Sequence, residues 1–322
     1  MNEGTMLLEA AGRVFADLTD ESALFTGEWP AHAWAAVEDM GLPLALVPEE
    51  AGGFGVATLD ALALVRLSGF HALPLPLAET MVANRLLGEA GLPLAEGPAG
   101  FARSQGERVP WGRYLAVLAV ADADGRIARV GRPAISREGT NLAGQPRDGL
   151  ETGTDGAPSA PRKGHDPLLW GAAIRALQMA GALERVLQLT VAHVSERQQF
   201  GRPLSKFQAV QHELAKLGSE VAAASAAADM AAEAIAGDSD ARLAIAAARV
   251  RAGEAVGVAT SIAQQLHGAI GFTREHVLHR FTTALWSWRD EYGGHGYWSQ
   301  MLGTAALAAG GAGFWAFVTE AA

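Results

Sequence analysis

Two short stretches of this chain carry residue types able to hold a charged, planar ligand. In the first, Arg197-Gln198-Gln199-Phe200-Gly201-Arg202-Pro203-Leu204, followed by Phe207-Gln208-Ala209-Val210-Gln211, an arginine, a glycine and paired glutamines fall between two long helical patterns. Arginine keeps its charge and presents a donor fork suited to a diphosphate, Phe200 offers an apolar ring, and Gly201 lets the backbone approach a ligand closely. That set fits a dinucleotide clamp, and it also fits an ordinary helix–helix corner closed by Pro203. In the second stretch, Gln264-Gln265-Leu266-His267-Gly268-Ala269-Ile270-Gly271-Phe272-Thr273, an Ala-rich helical run ends in two glycines three apart, where a backbone can turn and meet a cofactor.

The elements that must position these stretches read mostly as helices. The runs 168–198, 206–236 and 240–269 are each about 30 residues, roughly 45 Å at helical rise, broken only at Gly201-Arg202-Pro203 and Gly237-Asp238. They predict a long-helix bundle over 166–322, with small residues at 222–228 and 244–248 permitting close approach. From residue 1 to about 95 the apolar spacing of Trp34, Val37, Met40 and of Leu62, Leu64, Val65 predicts a helical domain. It is punctuated by the turn cluster Pro48 to Gly55, and a further helix opens at Pro74 to Thr80 with Pro76 in its first turn. Between 96 and 165 the period changes to a reduced β module and linker. Tyr114 to Ala121 reads as a strand, Asp122-Ala123-Asp124-Gly125 as a turn, and Arg126 to Val130 as the returning strand. Residues 137–166 read as loop or irregular strand, so the fold class is mainly α.

Bulk properties bound the function. With 322 residues, 49% of them hydrophobic, the chain can bury a sizeable core. A net charge of −10 argues against a nucleic-acid partner, which wants clustered Lys and Arg. The absence of cysteine excludes disulfides, thiolate metal sites and redox thiols and fits the cytoplasm. No secretory pattern is read in Met1 to Glu9. Leu302 to Val318 runs 17 residues without a charge, but Gly303, Gly310, Gly311 and Gly313 favour a buried helix able to meet another subunit closely over a membrane span.

The two ligand-type stretches together resemble the acyl-CoA dehydrogenase family, in which an R-x-x-F-G segment and a later Q-x-x-G-x-x-G-F segment hold FAD across a subunit interface. Leu46-Val47-Pro48-Glu49-Glu50-Ala51-Gly52-Gly53 is similar to the V-P-E-x-x-G-G loop of that family's N-terminal domain. The resemblance implies an N-terminal helical domain, a middle β domain and a C-terminal four-helix bundle. It implies FAD-dependent α,β-dehydrogenation of an acyl-CoA thioester, a dimer-of-dimers assembly and an electron-transfer flavoprotein as electron acceptor. Carried onto this chain, Arg197, Gln199, Phe200, Leu204 and Gln208 fall in the first cofactor segment and Gln265, Gly268 and Ala269 in the second, with Ala269 where glycine is common.

The same resemblance implies a catalytic glutamate before a glycine about twenty residues beyond the second segment, where the chain reads Trp286-Ser287-Trp288-Arg289-Asp290-Glu291-Tyr292-Gly293-Gly294. An ungapped alignment places Tyr292 there; Glu291, one residue away, is the better base, since tyrosine titrates near 10, and Asp290 comes third. Alternatively, Arg289, Asp290 and Glu291 form a solvated charge cluster. Where some relatives carry a base at the start of the first bundle helix, Leu169-Trp170-Gly171-Ala172-Ala173 has no carboxylate. The short middle module resembles that of short subunits that pair with an unlike chain in bacterial steroid side-chain catabolism. The chain is then either a catalytic subunit of a homo- or hetero-tetramer or a non-catalytic partner completing another chain's FAD site; a third reading is a bundle that binds acyl-CoA without flavin.

Other residues read as structural. His267, His276 and His279 are close in sequence, yet no glutamate is followed three residues later by histidine, so the paired Glu-x-x-His of a di-iron bundle is absent and no metal is expected. Neither G-x-S-x-G nor G-x-x-x-x-G-K-[ST] occurs. Trp286, Trp288 and Trp298 are core or interface anchors before they are pocket walls.

Overall fold

The computed structural model describes residues 3–19, 28–103, 107–237 and 240–320; Asp238 and the first two residues of the Met1 to Glu9 stretch lie outside these. The chain divides into two compact units, residues 1–68 with 73–174 and residues 69–72 with 175–322.

The first unit contains α1 (Glu3–Leu18), α2 (Ala31–Asp39), most of α3 (Thr58–Phe70) and α4 (Leu77–Glu89). Pro76 is the N-cap of α4, where its missing N–H costs nothing, and Glu79 sits in the first turn as expected. Because α4 is buried on nearly every side, its polar residues must find partners. Thr80 Oγ1 donates to the Pro76 carbonyl at 2.7 Å and accepts the Ala99 amide at 3.0 Å. Asn84 Nδ2 donates to the Pro43 carbonyl at 3.2 Å while its Oδ1 accepts the Ala95 amide at 2.8 Å.

The Thr80–Ala99 bond ties α4 to a four-stranded sheet ordered β1 (Ala99–Ala102), β3 (Val117–Ala121), β4 (Arg126–Gly131), β7 (Ser159–Pro161). β1 and β3 run parallel, and the other pairs are antiparallel. The β3–β4 turn is the one read from sequence: Asp122 Oδ1 accepts the Arg126 amide at 2.8 Å and Gly125 takes φ +74°. A second sheet orders β2 (Arg108–Pro110), β6 (Arg147–Leu150) and β5 (Ile135–Arg137). Its polar core is Asp148, fully buried, which accepts Arg113 Nη2 at 2.7 Å, Arg113 Nε at 3.1 Å and the Gly139 amide at 2.9 Å. Burial alone would raise this carboxyl; the bonds from Arg113 and the Gly139 and Arg113 amides outweigh it and hold it below the usual carboxylate range. Strands β6 and β7 lie in the 137–166 segment read as loop or irregular strand; they are short and paired with distant residues, so no local periodicity marks them.

In the second unit, most of α5 (Pro167–Glu196) meets α6 (Gln208–Ala236), α7 (Arg242–His267), α8 (Leu278–Arg289) and α9 (His295–Glu320). The predicted runs correspond to α5, α6 and α7 within about two residues. Their shared core includes Met179, Leu183, Val221, Ala224, Ala255, Ala259, Phe281 and Trp288, the alanines allowing close helix approach. Gly69 fits only as glycine, since a Cβ there would lie 2.1 Å from the Gln178 carbonyl oxygen. The apolar run from Leu302 is helical, as expected, but it is not buried within this chain. Leu307 is 84% and Trp315 74% exposed, and the helix is interrupted at Gly310 (φ +66°, ψ 171°). Its glycines and alanines form no one-sided stripe that a single chain could cover. Among the described residues no helix is long and apolar enough to cross a membrane.

Candidate functional site

α5 ends where the Arg197 amide donates to the His193 carbonyl at 2.9 Å, and the chain then makes a tight hairpin. β8 (Gln198–Gln199) pairs with β9 (Arg202–Pro203) around Phe200 (φ +51°) and Gly201 (φ +78°). Two consecutive left-handed residues are what a two-residue hairpin turn requires. A Cβ on Gly201 would meet nothing, so this glycine serves backbone angle, not close packing. The Leu204 amide closes the loop on the Arg197 carbonyl at 2.9 Å, Arg202 lies over the Phe207 ring at 4.2 Å, and α6 begins.

The end of α7 faces this corner. Gly268 takes φ +69° and ψ −147°, a conformation open to glycine, and turns the chain out of the helix. Gly271 is needed for space, since a Cβ there would come within 2.9 Å of His267 Cβ. Between the two segments lies a cavity of about 680 Å³, within the range of ligand sites. Arg197, Gln199 and Leu204 line it from one segment and Gln265, Gly268 and Ala269 from the other, joined by His193, His267 and Glu213. Phe200 and Gln208 do not line it: Phe200 is 90% exposed at the hairpin tip, and Gln208 is exposed at the start of α6, where Ala209 and Val210 form the wall instead. Arg197 and Gln265 are themselves exposed, with donors free to meet an anion.

His267, His276 and His279 are neighbours in sequence. The structure replaces His279 with His193, from the last turn of α5: the His193 and His267 rings stack with centroids 4.3 Å apart, and His276 meets His267 edge-on at 4.8 Å. Ring nitrogens of the three lie within 4.8 Å of one another. Burial pushes His267 down to about 4, the bond to Ala263 opposing this and the His193 and His276 imidazoles adding to it. Burial, His276 and Arg197 lower His193 as well.

Glu291 is not part of that cavity wall, nor of a solvated cluster. It is 1% exposed, and its Oε2 accepts Arg175 Nε at 2.7 Å and Nη2 at 2.6 Å. Arg175 also donates to Gln178 Oε1 and lies over the rings of Trp288 and Tyr292, at 5.9 and 5.4 Å. Asp290, by contrast, is largely exposed. The turn carrying Glu291 is held by buried Arg249, whose Nη2 donates to the carbonyls of Arg289 (3.0 Å), Glu291 (2.7 Å) and Gly293 (3.0 Å) and so satisfies the end of α8. Burial and the neighbouring Arg175 bring Arg249 down to about 9, still charged at neutral pH.

Arg175 and Arg249 were missed from sequence. A signal existed for Arg175: it is the one charge between Pro167 and Leu183, and a charge buried in so apolar a helix needs a carboxylate partner. Nothing local says which of the chain's carboxylates answers it.

The family model for the acyl-CoA dehydrogenase C-terminal domain matches residues 166–287. Acyl-CoA dehydrogenase IpdE2 of Mycobacterium tuberculosis is 33% identical over 256 residues, covering 76% of this chain and 76% of that protein. Among solved structures, the Tcur3481-Tcur3483 steroid ACAD superposes with a TM-score of 0.81 at 26% identity, over 95% of this chain and 99% of that one. The ChsE4-ChsE5 complex from Mycobacterium tuberculosis does so with 0.79 at 21% identity, over 96% and 98%. At one-third identity across three-quarters of both sequences, with the mainly α architecture shared throughout, this chain belongs to the acyl-CoA dehydrogenase family.

Proposed function

We propose that this chain is a subunit of an oligomeric, FAD-dependent acyl-CoA dehydrogenase that catalyses α,β-dehydrogenation of an acyl-CoA thioester. The observation that carries this reading is convergence: Arg197 and Gln265, 68 positions apart in sequence, line one cavity with Gln199, Leu204, Gly268 and Ala269. The residues fit the diphosphate end of a dinucleotide, with a guanidinium fork, a carboxamide and a left-handed glycine that exposes backbone to the ligand. Bound FAD would supply the hydride acceptor. Phe200 and Gln208, pointing away from the wall in the single chain, are assigned to contacts made across a subunit seam. The solved relatives described as a steroid ACAD and as a two-protein complex favour a hetero-oligomer and a steroid acyl group. The reading further includes a cytoplasmic location and an electron-transfer flavoprotein as acceptor.

For the proton step, Glu291 is the candidate base. Burial removes the water that would compete for it, and Arg175 fixes the orientation of Oε2. The α proton is weakly acidic, so the thioester oxygen must also be stabilised as charge develops. The geometry gives specific weight to the second reading. Oε2 is held by two guanidinium bonds from Arg175, which suits a latch that orders the turn while a partner chain supplies the base; under the catalytic reading the proton goes to Oε1. The test is the visible spectrum of the purified chain, alone and co-expressed with a related subunit, followed by turnover of the Glu291→Gln protein. Flavin bands with lost turnover support the catalytic reading; flavin bands with turnover kept support the partner reading; colourless protein in both preparations removes flavin from the account.

A further inference from the structure

We propose that His193, His267 and His276 form a three-imidazole binding site for a first-row divalent transition metal such as Zn2+, opening onto the cavity lined by Arg197 and Gln265. Three separate parts of the second unit deliver these rings: the last turn of α5, the last turn of α7 and the segment before α8. One ring nitrogen from each lies within 4.8 Å of the others, and tetrahedral zinc with bonds of about 2.0–2.1 Å places its ligand nitrogens roughly 3.3 Å apart, so the stacked His193 and His267 rings must turn toward each other as the ion binds. The decisive group is His267. Its Nδ1 lies 2.7 Å from the Ala263 carbonyl, which only accepts, so Nδ1 carries the proton and Nε2 the lone pair. That Nε2 is buried and has no hydrogen-bond partner among the described residues. A metal-ligating histidine typically has this arrangement, one nitrogen donating to a carbonyl and the other turned to the ion. His276 Nδ1 accepts the Leu278 amide at 3.1 Å, and ligation by this ring replaces interactions that it already makes. His193 and His267 line the cavity, from which a water can complete the tetrahedron.

The site does not depend on the flavin reading, although His193 and His267 line the same cavity. The experiment uses the tag-free, full-length, flavin-stripped chain titrated with Co2+, read by the visible band of tetrahedral cobalt, and then with competing Zn2+. One equivalent is expected to bind in the micromolar range or tighter. His193→Asn and His267→Asn should each weaken binding by about tenfold or more, the scale seen when a metal's ligand environment is disturbed. His212→Asn and His279→Asn serve as controls and should change it by less than about twofold. Arg197→Met, which impairs flavin retention if the cofactor reading holds, should leave metal affinity unweakened, so the two proposals fail separately. His193, half-exposed at a helix end, is the variant expected to fold regardless, and a circular-dichroism melt checks each protein. No tetrahedral band at millimolar Co2+, or equal affinity in the His193→Asn, His267→Asn and control proteins, overturns the site.

Discussion

The cavity wall and the Arg175–Glu291 pair lie in the same helical unit, and they specify structure in opposite ways. The wall is built from contiguous motifs at two helix ends, with its Arg197 and Gln265 side chains exposed to the cavity. The pair is built from single residues 116 positions apart, both nearly inaccessible and already committed to each other. Groups that await a ligand contribute little to folding and can be replaced at small cost in stability. Groups that satisfy each other in the core cannot, because removing one strands the other's charge.

The sharpest test of that contrast is Glu291→Gln. If Glu291 is the base, steady-state turnover of the assembled enzyme falls by about 10⁴-fold with flavin content unchanged, a loss of roughly 5–6 kcal/mol of transition-state stabilisation. If the pair is only a latch, turnover falls less than about tenfold. Next in size is Arg175→Met, which leaves the carboxylate buried without its cation and should destabilise the chain by about 3–5 kcal/mol in denaturant titration. The double substitution Arg175→Met with Glu291→Leu should recover most of that; failure to recover would mean the pair is not acting as a unit. On the wall, Arg197→Met or Gln265→Ala should weaken FAD retention by roughly 10- to 100-fold, read by equilibrium dialysis. The melting temperature of the flavin-free protein should stay within about 2 °C, and a larger drop would erase the contrast.

Acidification probes both units through different groups. In the second unit, His267 and His71 are held at about 4, His71 by burial and by Arg185 and Arg280. Each is lowered in the folded state, so the unfolded chain takes up protons first. Stability is therefore complete above about pH 6.5 and declines as pH falls toward 4, by about 1–2 kcal/mol per histidine at pH 5 after allowance for solvent. In the first unit, Asp148 is also lowered but titrates as an acid: its contribution is present above the ordinary carboxylate range and is lost only at lower pH, as the folded-state carboxyl is protonated. Urea midpoints at pH 7 and pH 5 should show the histidine-dependent loss in the wild type and a smaller one in His267→Gln. The smallest expected effect is Gly201→Ala, where open space but φ +78° predicts about 1 kcal/mol of strain, seen as a slightly lower melting temperature.

Much of this molecule was legible before its coordinates. Helical period and length set α5, α6 and α7, since a 30-residue amphipathic run has few alternatives. The glycines at 201 and 268 marked the places where the backbone leaves the helical region, and the motif order placed six cavity residues. The short strands β6 and β7, the exposure of α9 and the partners of Arg175 and Arg249 were not legible. Each depends on contacts with residues far along the chain, and local propensity carries no information about which distant group will satisfy a buried charge.

By itself the sequence determined what is local: helix extent, turn chemistry, the absence of thiol sites and the two ligand-type segments whose order matches the family. Only the tertiary structure decided that Glu291 is enclosed by Arg175 and that His193, not His279, joins His267 and His276. The reason is physical. Periodicity is fixed by bonds between near neighbours, whereas burial and charge pairing are fixed by packing, which brings together residues that the chain itself keeps far apart.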